Sequence, residues 1–249
     1  MAASHAEQDP GCEPDPASCG DLFDEGGLIG RLEEAAAAEG IDLGRLLPAS
    51  ASMRLSSASL RSERGVFKVI SDPDARHFTF WVVSRDIRVL GGRSGELSLI
   101  ARVMDEWRSG LALSRLGTRW KFVDVDMYAD EREYGDLVAV HWREILEDAD
   151  FADIRPLLVE AHAVPRLRNL YPVVSHDDLF FSRCTAPPYA LIEPHARRRG
   201  EKFVVLGRGD DLLTETSSAQ SAISYLASIL PAGIGPAVIG DQSSVPDIE

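Results

Sequence analysis

Between residues 66 and 110 the chain sets three short β-branched and aromatic runs between tight turns and then changes to a helical period, an order that few folds accept. Val66-Phe67-Lys68-Val69-Ile70 is closed by Asp72-Pro73-Asp74, Phe78-Thr79-Phe80-Trp81-Val82-Val83 follows, and Ile87-Arg88-Val89-Leu90 is closed by Gly91-Gly92. Such runs suit half-buried pleated strands. Connections this short join antiparallel neighbours, because a parallel crossover needs a dozen residues or more. Leu97, Ile100, Val103, Met104 and Trp107 then mark one face of a helix between Ser94 and Gly110. The expectation is an antiparallel meander with an amphipathic helix laid on it.

The flanking sequence extends this reading. Leu22, Phe23, Leu28, Ile29 and Leu32 run at helical spacing into Glu33-Glu34-Ala35-Ala36-Ala37-Ala38, and Gly40 is a stop. Met53, Leu55 and Leu60 suggest a weak edge strand. Leu113 and Leu116 fit a short helix with Trp120 and Phe122 as an extended exit, and residues 124–136 read as an acidic loop. Leu137, Val140, His141, Ile145 and Leu146 give the next helix its apolar face, with Trp142 on the flank. A further helix over residues 154–163 is ended by Pro165. Residues 179–183 and 202–206 read as strands, 185–201 as a long polar connection and 207–211 as a turn. A short strand follows, and Ala219, Ala222, Ile223, Leu226, Ile229 and Leu230 form the last amphipathic helix.

The fold class is therefore α+β, with antiparallel sheets packed against amphipathic helices. Residues 1–20 and 241–249 read as polar tails too poor in apolar matter to offset the entropy of ordering. The domain between them, residues 21–240, admits a division into half-domains 21–125 and 126–240. Residues 78–110 and 203–233 both run strand, turn, strand, helix, and Leu116, Trp120 and Phe122 share their spacing with Leu167, Tyr171 and Val173. Units of two strands and a helix are common, so ordinary architecture is favoured over a duplicated half-domain with a site at its seam.

Charge and cysteine content limit the function classes. The net charge of −14 disfavours nucleic acid, whose affinity rests on Lys and Arg neutralising phosphates, and disfavours anionic membranes for the same reason. No apolar run approaches a membrane span, and the start of the chain lacks the basic region and apolar core of a secretory leader, so a cytoplasmic protein is expected. The three cysteines, Cys12, Cys19 and Cys184, argue against a disulfide framework. His5, Cys12 and Cys19 fall short of the four closely spaced ligands of a structural zinc site. No metal or other cofactor is expected.

The densest run of unusual residues is 167–184, LRNLYPVVSHDDLFFSRC. His176 beside Asp177 and Asp178 suggests an oriented general base, and Cys184 a nucleophile. They stand at opposite ends of one strand, roughly 25 Å apart if extended, so an Asp-rich turn and a packed cysteine are the competing and favoured reading. Alternation places Leu179, Phe181 and Arg183 on one face, where an arginine needs a carboxylate such as Asp177, an acid of the 137–147 helix, or an anionic ligand. Gly207-Arg208-Gly209-Asp210-Asp211 lacks the lysine of a phosphate loop and the ligand spacing of a calcium loop, and reads as a hairpin turn. His141 and His162 show no metal spacing. Arg197, Arg198 and Arg199 form a basic knob that suits an acidic leader peptide or carrier protein, or is a solvated run. Tyr171 and Ser175, with Arg183 and those three arginines, complete the candidate binding set.

The pattern Leu167-x-x-Leu170-Tyr171-Pro172, then Ser175-His176, then Leu179-x-Phe181-Ser182-Arg183-Cys184-Thr185 resembles an actinobacterial family of unknown function, domain of unknown function 6193, whose members are labelled natural product biosynthesis proteins. Leu230-Pro231-Ala232-Gly233 with Gly235-Pro236-Ala237, and Trp107-x-x-Gly110 with Leu116, agree with it. The resemblance covers roughly residues 60–240 and implies a place in specialised metabolism without a reaction. The functional expectation is an accessory, non-catalytic module that binds a protein or peptide partner. The alternatives are an enzyme with its site around His176, Arg183 and Cys184, and an immunity-type protein that neutralises a toxin.

Overall fold

The expected meander is the centre of the first of two sheets. The structure is a computed structural model that describes residues 26–71 and 77–246. Cys12, Cys19, the tail over residues 1–20 and the Asp72-Pro73-Asp74 turn lie outside the described residues. The chain is α+β and divides into two compact units, Met1–Val83 with Leu90–Asp126, and Ser84–Val89 with Met127–Glu249.

In the first sheet, strands β1 (Ser57–Ser62), β2 (Gly65–Ser71), β3 (Phe78–Ser84), β4 (Ile87–Ser94) and β5 (Val123–Val125) lie side by side in that order. Phe67 and Phe80 stack with ring centres 5.5 Å apart, and Trp107 packs against Phe67 at 5.7 Å. Trp107 comes from helix α2 (Leu97–Arg108), whose buried face is Leu97, Ile100, Ala101, Val103, Met104 and Trp107. Helix α1 (Gly27–Ala38) buries Leu28, Leu32 and Ala36 and packs on α2. Gly92 is forced by close approach: a Cβ there would lie 2.4 Å from the Phe122 carbonyl oxygen and 2.4 Å from the Phe80 ring.

Two expectations for residues 49–136 are corrected. Met53 and Leu55 do not form an edge strand. Residues Ala51–Met53 are a 3-10 turn and the strand starts at Ser57. Its sequence, SASLRS, hides the strand because small residues replace β-branched ones. The buried Ser59 hydroxyl donates to the Leu47 carbonyl at 3.0 Å, which satisfies a polar group that periodicity arguments place outside. Residues 124–136 are not one loop, since they hold the end of β5 and helix α4 (Ala129–Tyr134). The short helix expected at Leu113 is α3 (Leu113–Arg119).

The second unit is a sheet in the order β10-β9-β8-β7-β6 with helices on one face. Its strands are β6 (Tyr171–Ser175), β7 (Asp178–Ser182), β8 (Leu191–Arg199), β9 (Lys202–Leu206) and β10 (Leu212–Thr216). Helix α5 (Leu137–Glu147) is capped by Asp136, whose carboxylate accepts from the Val138 and Ala139 N–H groups. Helices α6 (Arg155–Ala163), α7 (Pro165–Arg168) and α8 (Ala219–Ile229) complete the layer, and α6 packs on α8. The core joins Trp142, Leu157, Leu158, Phe181, Val205 and Leu226. Trp142 is central to it, not on a flank: it is fully buried and its indole N–H donates to the Leu170 carbonyl at 3.1 Å.

The largest correction concerns residues 185–201. They contain β8, a strand inside the sheet and paired with both β7 and β9. Its pattern was masked by Pro194 and by three consecutive arginines. The proline is accommodated by a break in register: Leu179 faces Ala196, yet Phe181 faces Ile192, so β8 carries the extra residues as a bulge. The 78–110 and 203–233 segments do share the order strand, strand, helix. The second echo falls in different places, because Trp120 and Phe122 lead into the last strand of their sheet while Tyr171 opens the first of its own.

Candidate functional site: an open sheet edge beside a buried histidine

The residues singled out in 167–184 are not brought together. His176 and Asp177 form the two-residue turn of the β6–β7 hairpin, with φ of 51° and 66°. Positive φ at both central positions is what a type I′ turn demands. His176 is exposed, with Ser175 Oγ 3.1 Å from its Nδ1. Cys184 lies past the other end of β7, fully buried. Its sulfur accepts the Ala190 N–H at 3.2 Å and lies 3.5 Å from the Ala186 carbonyl oxygen, so a loop of main chain wraps it. Arg183 stands just past the end of β7, half-buried. Its guanidinium donates to the Pro246 carbonyl at 2.6 Å, in place of the expected carboxylate.

Tyr171 is buried in an aromatic stack. Its ring lies 4.3 Å from that of His141, nearly parallel, and 6.0 Å from that of Tyr189. Burial pushes its hydroxyl pKa up strongly, with Tyr189 adding to the shift. His141 joins Glu144 Oε2 at 2.9 Å through Nδ1 and the Pro172 carbonyl at 3.1 Å through Nε2. The hydrogen bond from His141, followed by one from Arg132, holds Glu144 down at about 2 against the opposing effect of burial.

The three arginines of the supposed knob lie at the end of β8, and two of them are engaged. Arg197 makes a two-pronged pair with the buried Asp178, one prong being Nη2 to Oδ2 at 2.6 Å. Arg198 donates to the Asp153 and Gly200 carbonyls. Arg199 is exposed.

The feature that sequence reasoning missed stands two residues before Arg197. His195 is only 4 % exposed, stacks on Phe180 at 4.3 Å, and among the described residues has no hydrogen-bond partner at either ring nitrogen. Its Nε2 lies 3.5 Å from Asp210 Oδ1 and 4.0 Å from Asp178 Oδ2, contacts that fall beyond or at the limit of a hydrogen bond. Burial lowers the His195 pKa, and Asp178 and Asp210 oppose that effect. Asp210 comes from the β9–β10 connection, which is indeed a turn, and its side chain is 64 % exposed. Among the described residues no group of three or more His, Cys, Asp or Glu side chains is arranged to hold a metal ion. Both Asp178 oxygens are occupied by Arg197.

The two edges of this sheet differ. At β6, Pro172 has no N–H to offer, its carbonyl is engaged by His141, and α5 runs alongside the strand. At β10, among the described residues, no main-chain group of Leu212–Thr216 is bonded beyond β9. Leu212 and Leu213 are 54 % and 43 % exposed there. An unprotected apolar edge is a template for pairing with another chain.

Residues 136–241 match the model of a family of unknown function, DUF6193. No curated protein and no solved structure matches the chain. The matched segment runs from the cap of α5 to Asp241, just past the Val238 that bridges to Cys184, and so contains the whole second sheet, both its edges and the His195 cluster. Among the described residues no helix is long and apolar enough to cross a membrane.

Proposed function

We propose that the chain is a non-catalytic module that captures an extended segment of a partner protein or peptide along β10, as an accessory to specialised-metabolite biosynthesis of the kind that the family resemblance suggests. The observation that carries the reading is the contrast between a β6 edge closed by Pro172 and α5 and a β10 edge left open with Leu212 and Leu213 exposed. Strand addition gains affinity from main-chain hydrogen bonds and specificity from alternate side chains. The charge of the partner follows from the surface it meets. Asp210 and Asp211 precede the strand, Asp211 makes no ion pair among the described residues, and the net charge of the chain is −14. A basic segment is therefore favoured. The acidic partner expected for the arginine knob is disfavoured, because Arg197 is held by Asp178.

The test uses a synthetic peptide of alternating lysine, threonine and valine, with an otherwise identical glutamate peptide as its control. Binding of the lysine peptide should move the amide resonances of Leu212–Thr216 and should be lost in the Leu212→Lys, Leu213→Lys double variant. Val159→Lys, at an exposed site on α6, should bind as the parent does. Equal binding by the double variant, or resonance changes confined to other surfaces, would overturn the reading.

A further inference from the structure

We propose that His195 is a proton-operated latch on the β10 edge, with Asp210 as its moving part. The neutral ring cannot be satisfied where it lies. One nitrogen carries a proton with no acceptor, the other a lone pair with no donor, and both are shut off from water. Leaving such groups unpaired is unfavourable, because neither nitrogen recovers the hydrogen bond it makes in water. The charged groups that face the ring are Asp178 on β7, Glu193 and Arg197 on β8, and Asp210 in the β9–β10 turn. Asp178 is fixed by the two-pronged pair with Arg197, whereas Asp210, 3.9 Å from that guanidinium, is exposed and close to the ring. A protonated Nε2 donates to Asp210 once that carboxylate moves in from 3.5 Å to a charge-assisted contact, a displacement of about 0.7 Å.

The geometry transmits that movement to the strand. Asp210 and Gly209 both have left-handed backbone, with φ of 63° and 70°. The Asp210 N–H donates to the Gly207 carbonyl, and the Gly207 N–H returns to the Asp211 carbonyl at 2.8 Å. Asp211 leads directly into β10. Across the sheet, His195 pairs with Leu206 and Leu206 with Leu212, so the latch and the first residue of the edge share one row. Closing the turn on an imidazolium tightens the start of β10, and opening it at neutral pH frees the edge and leaves the Asp210 carboxylate outward for a basic segment.

The consequence for binding rests on the docking reading, but the test needs no ligand, so failure of one does not decide the other. Amide hydrogen exchange of the full chain at pH 7.5 and at a pH where NMR shows the His195 ring charged, corrected for intrinsic rates and referred to β9, should show protection of Leu212–Thr216 higher by about fivefold at the lower pH. Asp210→Asn keeps a residue tolerant of left-handed backbone and should abolish the difference, as should His195→Leu. The His195 ring, followed by NMR, should titrate at lower pH in Asp210→Asn than in the parent. A parent without the pH difference, or an Asp210→Asn variant that retains it, would refute the latch.

Discussion

Glu144→Gln isolates the electrostatic clamp that closes the β6 edge. Glu144 accepts from His141 at 2.9 Å and from the largely buried Arg132 at 2.6 Å, and its side chain is 30 % exposed. Its folded pKa of about 2 compares with an ordinary 4.5. The unfolded chain therefore binds the extra proton between those values. Stability from this group is complete above about pH 4.5 and is lost as pH falls through about 2. The shift corresponds to an upper bound of about 3 kcal/mol, and partial exposure reduces it to about 1–2 kcal/mol. Urea unfolding of parent and variant, read by tryptophan fluorescence, should show that loss at pH 7. The difference should shrink steadily between pH 4.5 and 2, where the parent carboxylate also becomes neutral. The reasoning fails if the variant matches the parent at pH 7, or if the gap between them does not change across the acid window.

Two further outcomes follow from packing. Gly92→Ala places a methyl group 2.4 Å from the Phe122 carbonyl oxygen and from the Phe80 ring; the first sheet should lose about 1–3 kcal/mol, measurable as a lower urea midpoint. In a Cys12→Ser, Cys19→Ser background, the buried Cys184 should resist a thiol reagent in the native state and react at the rate of local opening, because its sulfur is enclosed by the main chain of Ala186 and Ala190; immediate reaction would contradict that enclosure.

Legibility in the sequence followed periodicity. Helix α2 and strands β2 and β3 were readable because their apolar residues recur at 3.6 or 2 positions and face a single core. Strand β1 was not, since Ser57, Ala58 and Ser59 are buried by hydrogen bonding and small size rather than by hydrophobicity. Strand β8 was concealed more thoroughly. Pro194 reads as a breaker, the bulge offsets the alternation, and Arg197 is tolerated by its pair with Asp178, a partner 19 positions earlier that no local pattern reveals. The candidate site inherits that blindness. His195 sits where Pro194 and the arginines predict a connection, and Asp210 sits in a turn that carries neither a phosphate nor a calcium motif. The available signal was a histidine between a proline and three arginines, too weak without knowledge that residues 191–199 form a strand.

The arginine knob and the open edge make opposite predictions about charge, and one pair of variants separates them. Arg199 is the arginine of the three with no hydrogen bond to the rest of the protein among those described, and it lies opposite Lys202 in register and near Glu215. Were the partner acidic, Arg199→Glu would weaken it and Asp211→Lys would strengthen it. With a basic segment on β10 the order reverses: Asp211→Lys should weaken the lysine peptide by about fivefold, the magnitude of an exposed ion pair, and Arg199→Glu should leave it equal or tighter. Raising the salt concentration should erase both effects, because they act across solvent. Loss of the lysine peptide in Leu212→Lys, Leu213→Lys that persists at high salt would then assign the remaining affinity to main-chain pairing and apolar contact along the edge, not to charge.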